Sequence, residues 1–321
     1  MSAGHVFILG SGFSRSLGLP TLRELFSELL QTPERPGTDD RRETLAALDV
    51  LYPHFHSDTP GSSYPPFEEF LSLVVAAKRF SFFDSEYWPR KEISALRLLC
   101  DCLGAKSRQA ESRPLLGKFV SQLDDGDVVI TFNWDTLIER ALLAQNRSVN
   151  LTGRDASAVC LLKLHGSLSW FLRPEGPVGQ PPESVFQLGG NLYCLTDYAY
   201  YDLWGLGQGP PFIVPPIFSK EPLLDDFMVE LWQEAFDSLI EAQRLTIIGY
   251  SLPPDDVQAR ALISSGCSWK HRHSQQPRYV VVDPDSAVGS RFFLNISRNV
   301  TFVQAFLNEE VLSYAATRAD R

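Results

Sequence analysis

His5-Val6-Phe7-Ile8-Leu9-Gly10-Ser11-Gly12-Phe13-Ser14 decides the fold. Its first half is a short run of apolar residues, suited to a buried strand, and the run stops abruptly at a glycine pair. Past Gly18-Leu19-Pro20, Thr21 and Glu24 have the spacing of a capping box. Leu22, Leu25, Phe26, Leu29 and Leu30 then fall on one helical face. A buried strand, a glycine turn and an amphipathic helix in succession are the first unit of a wound α/β sheet.

The same grammar recurs downstream. Residues 127–131 form an apolar strand that runs into Phe132-Asn133-Trp134-Asp135 and a helix through Leu137 to Leu143. Residues 159–164 run into His165-Gly166-Ser167, and 245–248 run into Gly249-Tyr250-Ser251-Leu252-Pro253. Residues 279–282 end at Asp283, and a last strand at 300–303 precedes a terminal helix. The pattern predicts one α/β domain over 1–321, with a doubly wound, mostly parallel, Rossmann-like sheet.

Two stretches break it, and both are expected to lie outside the sheet. Residues 32–123 start irregularly, with one modest helical stretch at 43–51. Helical periodicity then appears at 67–80, 91–103 and 114–123, so 32–123 is expected to be a helical insertion. Residues 173–216 are rich in Pro and Gly, carry no clear period, and are expected to form a second insertion or lid.

Composition narrows the class. The 321 residues are 44% hydrophobic and 21% charged, enough apolar material for a large core. No apolar run approaches the roughly 20 residues of a membrane helix. The amino-terminal residues lack a basic region and reach a strand at once, which points away from a secretory signal and toward a cytoplasmic protein. Cys100, Cys102, Cys160, Cys194 and Cys267 are odd in number and sit mostly among apolar neighbours, as reduced thiols do. No C-x-x-C pair is present, so no metal and no structural zinc is expected. The charge of −10 disfavours direct contact with nucleic acid. His271-Arg272-His273 has no matching ligands and is expected to be a solvated loop.

In open parallel sheets ligands bind beyond the carboxyl ends of the strands. That rule gathers Gly10-Ser11-Gly12, Asn133 with Asp135, His165, Gly249 with Ser251, and Asp283 with Asp285 around one crevice. The first turn lacks the third glycine of G-x-G-x-x-G and the acidic residue about 20 positions later, so hydride transfer is not favoured. Asn133 reads either as a crevice group or as a cap for the following helix, with Asp135 or Thr136 able to cap instead. His165 reads either as a base or as a hydrogen-bonded turn residue.

Gly10-Ser11-Gly12-Phe13-Ser14, Thr131-Phe132-Asn133-Trp134-Asp135, Lys163-Leu164-His165-Gly166-Ser167 and Gly249-Tyr250-Ser251-Leu252 resemble, in order, the glycine loop, T-x-N-x-D, H-G and G-x-S motifs of sirtuin-like proteins. The wording around them is similar to that of bacterial zinc-free sirtuin-like NAD hydrolases of anti-phage defence. The resemblance implies NAD as substrate. Gly10, Ser11, Gly12 and Ser14 would line its phosphates and nicotinamide side, with Gly249 in the matching G-x-S turn and Ser251 helping to bind phosphate. Asn133 would position the nicotinamide ribose or water, Asp135 would accept from the carboxamide, and His165 would be the base. Asp283, at its strand end, suits the adenosine ribose hydroxyls. Deacylating sirtuins carry zinc-binding cysteine pairs that are absent here, and Thr21 replaces the acidic residue that often follows the proline of their first loop.

The expected activity is NAD glycohydrolysis to nicotinamide and ADP-ribose. An NAD-dependent protein deacylase or ADP-ribosyltransferase, and a catalytically silent module sensing NAD or ADP-ribose, are the alternatives. The two insertions suggest a homo-oligomer, and a defence effector would draw its trigger from an ATP-driven translocase or another sensor protein.

Overall fold

The computed structural model describes residues 4–35, 37–55, 64–153, 155, 157–172, 185–197, 210–214, 226–273 and 278–315. Their strands are β1 (His5–Leu9), β2 (Val128–Thr131), β3 (Val149–Asn150), β4 (Val159–Lys163), β5 (Gly166–Leu172), β6 (Val185–Gly189), β7 (Leu192–Leu195), β8 (Pro211–Ile213), β9 (Arg244–Ile248), β10 (Arg278–Val282) and β11 (Val300–Val303). Their helices are α1 (Ser11–Ser16), α2 (Leu22–Gln31), α3 (Asp40–Leu51), α4 (Phe67–Arg79), α5 (Tyr87–Ala110), α6 (Pro114–Ser121), α7 (Leu137–Ala144), α8 (Asp226–Glu241), α9 (Val257–His273), α10 (Ser286–Asn295) and α11 (Glu309–Ala315).

Seven strands form one parallel sheet in the order β11-β10-β9-β1-β2-β4-β3, with helices packed on it. Covered on both faces, its central strands are apolar except at their ends, at His5, Thr131 and Lys163, and every residue of β1, β2 and β4 is buried. The chain winds from β1 toward β2 and β4, and later returns on the other flank as β9, β10 and β11. The winding direction therefore reverses between β1 and β9, where a wound sheet opens its crevice. Register makes the opening level. Leu9 pairs with both Thr131 and Ile248, Thr131 with Lys163, and Ile248 with Val282. The residues just past those positions leave the sheet at one height.

The helical insertion shares the core of the sheet. Phe26 of α2, Phe67 and Phe70 of α4, and Trp88 and Leu99 of α5 belong to the same buried apolar cluster as Val6, Ile130 and Ile247. The capping box at Thr21 and Glu24 is present. Helix α5 is longer than its periodicity predicts, because Pro89 sits in the first turn, where its missing amide costs nothing.

Two expectations fail. Part of 173–216 is sheet: β6, β7 and β8 join β5 in a second, antiparallel sheet of order β6-β7-β5-β8. Residues 173–184, 198–209 and 215–216 of that stretch lie outside the described residues. The signal was weak because β6, β7 and β8 are only 5, 4 and 3 residues long and are set in Pro- and Gly-rich sequence, too short for a period to stand out. Residues 271–273 are the last turn of α9, not a loop.

Candidate active site

The glycines of the first turn are required by another piece of backbone. A Cβ on Gly12 would stand 2.6 Å from Gly249 Cα, and one on Gly249, whose φ is +61°, would stand 2.3 Å from Phe13 N. The two turns interlock, with Gly10 N donating to Ile248 O at 3.1 Å and Gly12 N to Gly249 O at 2.9 Å. Side chains at either position would hold β1 and β9 apart at the crevice.

Asn133 follows β2 by two residues and lies half-buried in the cleft above that seam. Its Nδ2 donates to Gly10 O and to Ser14 Oγ, both at 2.9 Å. A carbonyl can only accept, so the nitrogen must face Gly10 and the amide orientation is fixed. No described residue donates to Asn133 Oδ1, which leaves that acceptor available to a ligand. Ser14 Oγ in turn donates to Asp135 Oδ2 at 2.6 Å. Asp135 Oδ1 accepts from Leu137 N, the first amide of α7, at 3.2 Å, while Thr136 holds the N-cap position. Both carboxylate oxygens are thus tied to the chain, and any contact with a carboxamide must use their second lone pairs.

The segment is anchored from below by a buried ion pair. Lys163 Nζ lies 3.0 Å from Glu139 Oε1 and donates to Asp135 O, with both side chains almost wholly buried. Burial pushes the Glu139 carboxyl above its ordinary range, while the Lys163 charge pulls it back.

His165 follows β4, is 2% exposed and lines the same cleft. Gly166 behind it has φ +77°, and a Cβ there would fall 2.1 Å from Phe212 O, so β8 fixes the turn that aims the ring. His165 Nε2 sits 3.4 Å from Asp256 Oδ2, and Tyr250 Oη donates to the same oxygen at 3.2 Å. Phe132 lies against both rings, 4.5 Å from Tyr250 and 5.1 Å from His165. The Tyr250 hydroxyl is raised well above its ordinary range, by burial first and by the Asp256 charge second, so it stays a neutral donor. Leu252, next along the turn, is held at φ +52°, a conformation costly for a leucine.

These groups fall into two connected spaces. An inner cleft of about 90 Å³ is lined by Asn133, Asp135, His165 and Asp256, and an outer groove of about 340 Å³ by Gly12, Arg15, Arg23 and Asp283. Ser11, Gly249 and Ser251 wall both. In the outer groove Asp283 Oδ1 accepts from Asp285 N at 2.9 Å, and burial raises its carboxyl above the ordinary range. Asp285 caps α10 through Ala287 N. All ten residues singled out in the sequence therefore line one of the two spaces. Among the described residues no group of three or more His, Cys, Asp or Glu is placed to hold a metal ion, and no helix is long and apolar enough to cross a membrane.

Sequence reasoning missed Asp256, Tyr250, Phe132 and Glu68. Asp256 had a visible signal, since Pro253-Pro254-Asp255-Asp256 continues the turn after β9. Glu68 had none: it stands on α4 of the insertion and reaches the cleft only through tertiary packing.

No family model matches the sequence, and no curated protein matches it. Solved structures do. One is Sir2 in complex with the inhibitor EX-527, 2'-O-acetyl-ADP-ribose and deacetylated p53 peptide, with TM-score 0.41, 14% identity, and coverage of 98% of this chain and 91% of that one. Another, concerned with the structural basis of sirtuin substrate affinity, has TM-score 0.43, 14% identity, and coverage of 98% and 93%. Both are sirtuins. Identity this low says nothing about activity, so what the cleft can do is read from its own residues.

Proposed function

We propose that the chain is an NAD glycohydrolase that releases nicotinamide and leaves ADP-ribose. The observation that carries the reading is the pairing of an oriented amide with a buried histidine in one cleft. Asn133 is locked by Gly10 and Ser14, and His165 stands at the neighbouring strand end, beside a groove long enough to continue past Ser11 and Ser251 toward Asp283.

The chemistry suits that cleft. As the glycosidic C–N bond breaks, its electron pair leaves with the nicotinamide nitrogen and the ribose takes on oxocarbenium character. The described lining of the inner cleft carries Glu68, Asp135 and Asp256 and no Lys or Arg, a field that favours developing positive charge. Asn133 Oδ1 offers a fixed acceptor for a ribose hydroxyl or the attacking water. Water adds to the ribose carbon and gives up a proton, which His165 accepts. The sum is NAD plus water to nicotinamide, ADP-ribose and a proton. The outer groove, with Arg15, Arg23 and Asp283, supplies charge for phosphates and an acceptor for ribose hydroxyls. A role in anti-phage defence, a homo-oligomeric state and a separate sensor protein rest on the motif resemblance and the two insertions.

Incubating the purified chain with NAD and separating the products tests the reading. Nicotinamide and ADP-ribose should appear in equal amounts. Asn133→Ala and His165→Ala should each lower the rate by at least about 100-fold while melting cooperatively. ADP-ribose retained on protein would mean transfer, not hydrolysis. Absence of turnover by the chain, alone and with its cognate partners, would refute the enzyme and leave a binding module.

A further inference from the structure

Asp256 is almost fully buried, yet it belongs to none of the four motifs. It sits between two polar groups, His165 Nε2 at 3.4 Å and Tyr250 Oη at 3.2 Å, both on the same carboxylate oxygen. A buried carboxylate is costly unless its partners compensate for the lost water. Here the partners come from two places in the chain: His165 follows β4, and Tyr250 lies on the same connection between β9 and α9 as Asp256 itself. The backbone holds the carboxylate's position, since Arg260 N donates to Asp256 O at 3.0 Å as α9 begins. Phe132 packs against the His165 ring with centroids 5.1 Å apart and planes tilted by 56°, so packing as well as the carboxylate restrains the ring.

We propose that Asp256 is the positioning residue for His165: with Tyr250 it fixes the ring, keeps the neutral ring's proton on Nε2, and stabilises the imidazolium formed when Nδ1 takes the proton. The proton arrives at Nδ1 from the water or ribose hydroxyl, the Nε2 proton stays in place facing Asp256, and no proton passes to the carboxylate. The gain is larger after protonation than before, because the contact then joins opposite charges in a dry site. Tyr250 donates to the same oxygen and draws off part of its charge, which limits how basic the histidine becomes. This assignment rests on the glycohydrolase reading for its consequence in catalysis, but the His–Asp coupling itself does not.

Other groups could move the same histidine. Glu68 of α4, Asp135 of the segment after β2 and Tyr250 line the same cleft. Lys163, two residues before His165, is engaged by Glu139 and the Asp135 carbonyl. Asp256 Oδ2 stands 3.4 Å from His165 Nε2, so its removal should move the histidine's titration directly.

The test is an NMR titration of imidazole-labelled protein, with the His165 signal assigned by its loss in His165→Ala, alongside nicotinamide release across pH. In Asp256→Asn the His165 pKa should fall by about 1 to 3 pH units. The acid limb of kcat/KM should move to lower pH by a similar amount, with a reduced kcat. Tyr250→Phe should move both the opposite way, and more weakly. A merely structural role for Asp256 would lower the melting temperature and leave both pH readouts where they were. An unmoved His165 titration in a cooperatively folded Asp256→Asn overturns the proposal. If that variant does not fold, an unmoved titration in Tyr250→Phe overturns it instead. Should wild-type protein fail to cleave NAD while the titration still shifts, the glycohydrolase reading falls and the His–Asp coupling stands.

Discussion

Gly249→Ala is the sharpest probe of how the crevice is built. The new Cβ would lie 2.3 Å from Phe13 N, 2.4 Å from Gly12 C and 2.5 Å from Gly12 Cα, all backbone atoms that cannot swing aside. Reaching an ordinary contact of 3.4 Å from 2.3 Å requires the two turns to part by about 1 Å. That opens the Gly12 N to Gly249 O and Gly10 N to Ile248 O hydrogen bonds, at about 1 kcal/mol each. Alanine in the left-handed region, where Gly249 has φ +61°, adds about 1–2 kcal/mol. Strain in the packed surroundings adds about 1–3 kcal/mol more, giving about 4–7 kcal/mol in all. Against a typical stability of about 5–15 kcal/mol, the melting temperature should fall by about 10 °C or more. Gly190→Ala separates the two causes, because Gly190 has φ +51° and nothing within 4 Å of its added Cβ. It should lose only the conformational part, about 1–2 kcal/mol, and keep its NAD turnover. Melting followed by circular dichroism, with nicotinamide release measured on the same samples, decides. Equal melting temperatures for the two variants would refute the interlock of β1 and β9.

Three further outcomes follow from the same contacts. Ser14→Ala strips Asp135 Oδ2 of its donor and Asn133 Nδ2 of one acceptor, so it should cost about 1–3 kcal/mol and lower NAD turnover at least about tenfold; native turnover in a destabilised variant would show that Asn133 needs no second anchor. Lys163→Met leaves Glu139 buried without its counter-ion and should cost about 3–5 kcal/mol, with the loss growing as pH rises above the ordinary carboxylate range; pairing it with Glu139→Leu should restore most of the stability, and an unrescued double variant would contradict the pairing. Glu24 is held at about 2 against an ordinary 4.5, chiefly by Arg15, so its charge supports the fold above pH 4.5 and that support is lost as pH falls toward 2; the pair is exposed and the effect small, and Glu24→Gln should reduce the acid-induced drop in melting temperature.

The sheet was legible because buried parallel strands announce themselves as apolar runs, and because polar or glycine residues after such runs have nowhere to go except the crevice. Asn133, His165 and Asp283 could be placed at the crevice from position, each one or two residues past a paired strand end. The second sheet was not legible, since β6, β7 and β8 have only 5, 4 and 3 residues, too few for alternation to stand out from the Pro- and Gly-rich sequence around them. The histidine's carboxylate was missed for a different reason. Pro254-Asp255-Asp256 before a helix looks like turn chemistry, and only the fold shows that Asp256 points back at β4 while its neighbour is exposed.

The glycines carry the more general lesson. In sequence, Gly10 and Gly12 suggest a cradle for phosphate, yet the closest atoms to their missing side chains belong to Gly249 and Tyr250. Interlocked backbones would demand the same glycines whether or not a diphosphate ever bound. A glycine turn here thus supports the winding of the sheet, and says little about the ligand. What discriminates function is the chemistry of groups the fold has no need to place at the crevice. Asn133 is not the cap of α7, whose N-cap position is Thr136, and the turn at His165 pairs with the β8 segment through backbone, Val214 N donating to His165 O at 2.9 Å, with no use of the imidazole. An amide whose oxygen no described residue engages, and a buried imidazole facing a carboxylate, are polar groups held in the cleft at a cost in stability. The weight of the glycohydrolase reading therefore rests on those two side chains and not on the loop that first drew attention.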